Sequence, residues 1–202
     1  MQATFLDANR DPQLQYYLNA VEQVYFTIDL DEKPQSQWAR PAYDEICKKK
    51  DAEVEIWNSL LHSLTSTHSI RFKNMDFDLP HGYKAFVKMP APIFGVIFYL
   101  SFIGNLFGCF YGQENTPLEK RPVARHPWTK SDGFESYEPC YESQIEMKNV
   151  VFTEVHKYFP GFVEFDNKYA DYKIPEVQTF QGFAQNIDLF QVIFNTHIHG
   201  QR

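Results

Sequence analysis

Residues 89–113, MPAPIFGVIFYLSFIGNLFGCFYGQ, contain no charged side chain, and the solvent around this stretch constrains the rest of the chain. Its length reaches that of a membrane span, since about 20 apolar residues cross a bilayer as a helix. Its composition points elsewhere. Pro90, Pro92, Gly95, Gly104, Gly108 and Gly112 are poor residues for a helix interior, proline because it lacks a donor and glycine because of its backbone entropy. The apolar positions are mainly aromatic or β-branched, among them Phe94, Val96, Ile97, Phe98, Tyr99, Phe107, Phe110 and Tyr111. Such side chains suit a pleated surface. Gly104-Asn105 separates two of these runs, and a two-residue primed turn places glycine first. No cluster of Lys or Arg flanks the stretch to orient a span. The pattern predicts a buried β-hairpin, with strands over 94–103 and 106–112, in a soluble protein.

The rest of the 202-residue chain supplies material for one core, with 19 Phe and 12 Tyr. A single domain over 1–202 is the expectation for this length. The start, MQATFLDANRDPQ, shows no basic region leading into an apolar one, so no secretory signal is expected. Cys47, Cys109 and Cys140 are too few and too scattered for a disulfide framework, which fits reduced thiols in a cytoplasm.

Asp11-Pro12 reads as a helix cap followed by proline in the first turn, opening a helix over about 12–26. A second helical region spans 34–67 with an interruption near Pro41. Its later half carries an amphipathic stripe of Val54, Trp57, Leu61 and Leu64, with Ile56 and Leu60 beside it. Residues 69–74 and 83–88 read as strands, with Pro80-His81-Gly82 as a turn between them. A Pro-rich connector follows at 114–139, of a length that is usually functional or mobile. Residues 142–159 predict a helix with Ile145, Phe152, Val155 and Phe159 inward, stopped by Pro160-Gly161. Residues 188–195 suit a short strand. The predicted fold class is α+β, an antiparallel sheet whose central aromatic hairpin packs against N-terminal and C-terminal helices.

Motifs for chemistry are sparse. No phosphate-binding loop and no nucleophile elbow occurs. His197 and His199 share a face if extended, yet no third ligand sits at metal spacing, so no metal or cofactor is expected. Carboxylates flank Cys140 and would suppress its thiolate, while Cys109 falls in the hairpin and Cys47 lacks a designated partner. All three read as structural. Asp29/Asp31 and Asp76/Asp78 lie in turn-like, solvated stretches where acid–base work is unfavourable. The basic stretch 118–130 has too few charges, in a chain of net −7, to argue for nucleic acid.

The charge is segregated. Residues 131–190 hold 11 acids and four lysines, which accounts for the whole net charge of −7, and the remainder is neutral. Such a field disfavours nucleic acid and anionic membranes and suits a basic protein partner. A merely solvated acidic face is the competing reading.

Residues 82–114 and 174–197 resemble immunity proteins of bacterial polymorphic toxin systems. The features that carry the likeness are aromatic strands with a Ser-x-x-Gly step, here Ser101 to Gly104, and an Ile-Pro-Glu-Val segment, 174–177, leading to a final strand, Asp188 to Phe194. The resemblance implies a non-enzymatic cytoplasmic protein that binds and neutralises a cognate basic toxin or effector protein. On that reading Asp132, Glu135, Glu138, Glu142, Glu164, Asp166 and Asp171 would steer and pair with the partner, with Trp128 and Tyr137 as aromatic anchors. Two alternatives stay open. One is a small-molecule-binding or catalytic α+β domain with an aromatic-lined pocket. The other is a structural subunit that covers its own sheet edge.

Overall fold

In a computed structural model the chain is described over residues 11–25, 39–74, 81–90, 93–113, 126–127, 134–139, 141–174, 177–179, 182–184 and 187–194. Helix α1, Pro12–Val24, starts where the sequence places it, with the Asp11 carboxylate accepting from the backbone N–H groups of Gln13 and Leu14 at 3.0 and 3.2 Å. Helices α2, Pro41–Ala52, and α3, Val54–His68, meet at Glu53. Pro41 opens α2 after an extended Arg40, and residues 34–38 of the expected helical region lie outside the described residues. Ser69 closes α3 in a left-handed conformation, φ 56°, so the strand expected from 69 shortens to β1, Phe72–Asn74.

The uncharged stretch is a hairpin, as its composition requires. Strands β2, Gly82–Lys88, β3, Ile93–Ser101, and β4, Leu106–Gln113, form an antiparallel meander. Ser101 faces Leu106, so the turn is four residues rather than two. Gly104 and Asn105 both take positive φ there, 70° and 48°. Glycine and asparagine tolerate that region best. Among the described residues, no helix is long and apolar enough to cross a membrane.

Two further strands come from the connector: β5, His126–Pro127, and β6, Phe134–Ser136, of which β6 pairs with the end of β4. Helix α4, Glu142–Tyr158, then leads to β7, Val163–Glu164, which lies parallel to the start of β4. The sheet order is β1-β2-β3-β4-β6-β5, with β7 sharing the outer edge of β4. A 3-10 turn follows at Asn167–Tyr169. Then come the short strands β8, Lys173–Ile174, β9, Val177–Thr179, β10, Gly182–Ala184, and β11, Ile187–Asp188, paired two by two.

Strand alternation divides the core into two layers. Val96, Phe98, Leu100, Phe107, Cys109 and Tyr111 face Trp57, Leu60, Leu61 and Leu64 of α3 and Val151 and Val155 of α4. Ile97, Tyr99, Leu106 and Phe110 face Leu14, Tyr17, Val21 and Val24 of α1 and the last described helix, α5, Leu189–Phe194. That helix corrects the expectation of a strand over 188–195. Five of its six residues are buried, and a run with a single polar residue, Gln191, carries no period that separates helix from strand. Gly108 makes room for it, because a Cβ there would stand 2.7 Å from the Phe194 ring.

Three inward assignments are also corrected. Val54, Ile56 and Ile145 are 36, 39 and 43% exposed. Helix rotation is set by the bulkiest contacts. In α3 the Trp57 ring stacks on Tyr83 at 4.8 Å, which turns its stripe toward Leu60, Leu61 and Leu64. In α4 the buried line runs through Gln144, Val151, Glu154 and Val155.

Candidate functional site

The outer edge of β4 is shared by two short strands, and a cleft opens where they part. β7 and the segment after it serve the first half of the edge: Val163 N–H donates to Asn105 O at 3.0 Å, and Phe165 N–H to Phe107 O at 2.8 Å. β6 serves the far half, with Tyr111 opposite Ser136. Between them the Asn167 side chain takes the next rung. Its Nδ2 donates to Cys109 O at 3.3 Å and to Tyr137 O at 2.6 Å, which ties β4 to the residue after β6. Asp166 positions that amide by capping the 3-10 turn. Its Oδ1 accepts from Lys168 N–H at 3.1 Å, and its own N–H donates to the Tyr17 hydroxyl at 3.0 Å.

The cleft has a volume of about 500 Å³ and is lined by Tyr111, Tyr137, Glu138, Pro139, Ile145, Lys148, Glu164, Phe165, Asp166 and Asn167. Its floor is aromatic and nearly closed, since Tyr111, Tyr137 and Phe165 are each 5% exposed or less. Burial pushes the Tyr111 hydroxyl well above the usual phenol range, so it stays neutral. Helix α4 supplies the wall bearing Ile145 and Lys148, and Tyr141 N–H donates to Gln144 Oε1 at 3.3 Å in its first turn. Lys148 reaches across to β7, with Nζ 2.6 Å from Glu164 Oε1. Lys168 Nζ stands 2.9 Å from Asp166 Oδ2.

Of the residues singled out in the sequence, the cleft brings together Tyr137, Glu138, Glu164 and Asp166. Tyr137 is not an exposed anchor: its ring packs edge-on to Phe110 at 4.9 Å and against Phe190 at 5.1 Å, in the core. Glu142, in the first turn of α4, and Asp171, after the 3-10 turn, are exposed outside the lining. Glu135 lies in β6, with its backbone opposite Gly112 and His126. Trp128 and Asp132 lie outside the described residues, as do Cys140, His197, His199 and the pairs Asp29/Asp31 and Asp76/Asp78. Asn167 and Lys148 were not legible as site residues, because an Asn after Asp reads only as turn chemistry. Ile145 was legible only as core.

Elsewhere the ionisable groups serve the fold. Glu154, 2% exposed on α4, accepts from Ser63 of α3 at 2.9 Å and meets His68 Nε2 at 3.1 Å as well as Lys157. The Lys157 ammonium, helped by His68 and Ser63 against the cost of burial, holds its carboxyl down at about 2. Burial pushes the thiols of Cys47 and Cys109 up, so neither is poised as a thiolate. Among the described residues no group of three or more His, Cys, Asp or Glu could hold a metal ion. What the cleft offers is shape, an apolar floor and acceptor oxygens. No protein-family model, no curated protein and no solved structure matches this chain.

Proposed function

We propose that this protein is a non-enzymatic inhibitor of the immunity type, which binds a basic toxin domain and neutralises it. The observation that carries the reading is the cleft beside β4. It gathers Glu138, from just after β6, and Glu164 and Asp166, from the segment after α4, around an apolar floor. An acidic rim over an apolar centre suits a protein interface, where charge sets encounter and the apolar contact sets lifetime. The Ile145 side chain, exposed on the rim, adds apolar surface to that contact.

Co-expression provides the test. If the adjacent reading frame encodes the toxin, a bacterial host producing its product should lose viability, and this protein should restore it. Glu138→Lys combined with Glu164→Lys should abolish the rescue while leaving the purified protein folded. Failure of the unaltered protein to rescue, or full rescue by the charge-reversed form, refutes the reading. A pocket for a small molecule is the second reading, favoured by the cleft's aromatic floor and its volume of about 500 Å³, within the range of ligand sites. Glu164 is 40% exposed, so that wall faces water rather than enclosing a ligand.

A further inference from the structure

Glu164 has one oxygen engaged and one left over. Its Oε1 meets Lys148 Nζ at 2.6 Å, and Oε2 has no partner among the described residues. The neighbouring Asp166 is differently placed, because both of its oxygens are committed to Lys168. Glu164 therefore keeps one oxygen for a further donor in the cleft, with Lys148 as its resident counter-ion and Glu138 in the same lining. Beside it stand the apolar surfaces of Ile145 and Pro139, exposed and half-buried respectively.

We propose that this cleft takes up a single arginine side chain from a basic protein partner, its guanidinium displacing Lys148 from Glu164 and its stem lying on Ile145 and Pro139. The proposal rests on the inhibitor reading for the identity of the partner. Arginine fits better than lysine for a reason of geometry. A second ammonium would offer Glu164 only the point charge that Lys148 already supplies. A guanidinium presents a planar fork that engages both carboxylate oxygens at once. It is also more weakly hydrated than an ammonium, which suits it to a cleft floored by aromatic edges. Anionic side chains are disfavoured by three carboxylates against one lysine in the lining.

The seat can be tested without the toxin, by NMR titration of isotopically labelled protein with the terminally blocked amides of arginine, lysine and citrulline. The arginine amide should shift the Ile145 methyl and the Glu164 carboxyl carbon along a saturable curve. Lysine should bind at least about five-fold more weakly, and citrulline, neutral and of similar shape, should not saturate. Lys148→Gln should tighten arginine about five-fold by releasing Glu164, and Glu164→Gln should weaken it by a similar factor. Asp171→Asn makes the same charge change outside the lining and should leave the titration unaltered. Each variant's unperturbed spectrum elsewhere reports that the fold is intact. An equal response to citrulline, a loss with Asp171→Asn matching that with Glu164→Gln, or no saturable shift in the folded protein overturns the seat. A toxin whose affinity ignores Glu164→Gln overturns the seat but not the inhibitor reading. Absence of any rescue beside a positive arginine titration overturns the inhibitor reading alone.

Discussion

His81 is fully buried, an uncommon place for an imidazole, and its hydrogen bonding fixes its proton. Nε2 stands 3.0 Å from the carbonyl of Ile193 in α5 and must donate to it, while Nδ1 has no hydrogen-bond partner among the described residues. The ring of Tyr43 meets it edge-on at 5.9 Å. Burial, opposed only by the Ile193 carbonyl, pushes the imidazole down to about 4 from its ordinary 6.5. Between those values the unfolded chain binds a proton that the folded chain refuses. Stability from this group is thus complete above pH 6.5 and falls as the pH drops toward 4, by on the order of 3 kcal/mol. Glu154 acts in a lower window. Its stabilisation is present above the ordinary carboxylate value of 4.5 and is lost as the pH falls through about 2. Urea unfolding of the wild type and of His81→Gln at pH 7, 6 and 5 separates the two, because glutamine can donate but cannot titrate. The variant should lose the slope between pH 6.5 and 5, and an unchanged slope would assign it to another group.

At the scale of elements, what the sequence revealed depended on whether a segment had two distinguishable sides. The Asp11-Pro12 cap, the hairpin around Gly104-Asn105 and the stripe from Trp57 to Leu64 were legible because each pairs a local signal with a one-sided pattern. The α5 segment has one polar residue, Gln191, too little to set a period, and its conformation follows from the strand surface beneath it. There Gly108 leaves room for the rings of Phe190 and Phe194. The candidate site was half legible. Glu138, Glu164 and Asp166 stood out by charge, but their convergence depends on the parting of β6 and β7 along β4, a long-range event. The Asn167 amide holds that arrangement, so its loss should be felt on both strands. Asn167→Ala leaves the carbonyls of Cys109 and Tyr137 without their donor and should cost about 1–3 kcal/mol by chemical denaturation. Asn167→Asp should be worse, since it brings a second acceptor against two carbonyls. An aspartate variant more stable than the alanine variant would contradict this role.

For the whole molecule, ion pairing within residues 131–190 decides which acids face a partner. Lys148, Lys157, Lys168 and Lys173 pair with Glu164, Glu154, Asp166 and Asp188, all within the same segment. Four of the segment's eleven acids are thereby tied to its four lysines. Glu154 and Asp188, which look like part of an outward field in the sequence, are buried beneath the surface instead. Two kinds of charge change should consequently separate in the kinetics of partner binding. Long-range steering depends on the summed field and falls with salt, whereas residence time depends on the groups in contact. Reversing Glu142 and Asp171 together, both exposed outside the cleft, should slow association and flatten its salt dependence without changing dissociation. Reversing Glu138 and Glu164 should slow association by a similar factor and also speed dissociation, because those two line the cleft. Stopped-flow association at several salt concentrations, with dissociation followed by competition, reads both quantities. Equal dissociation rates for the two double variants would place the contact away from the cleft and leave the acidic segment a steering surface alone.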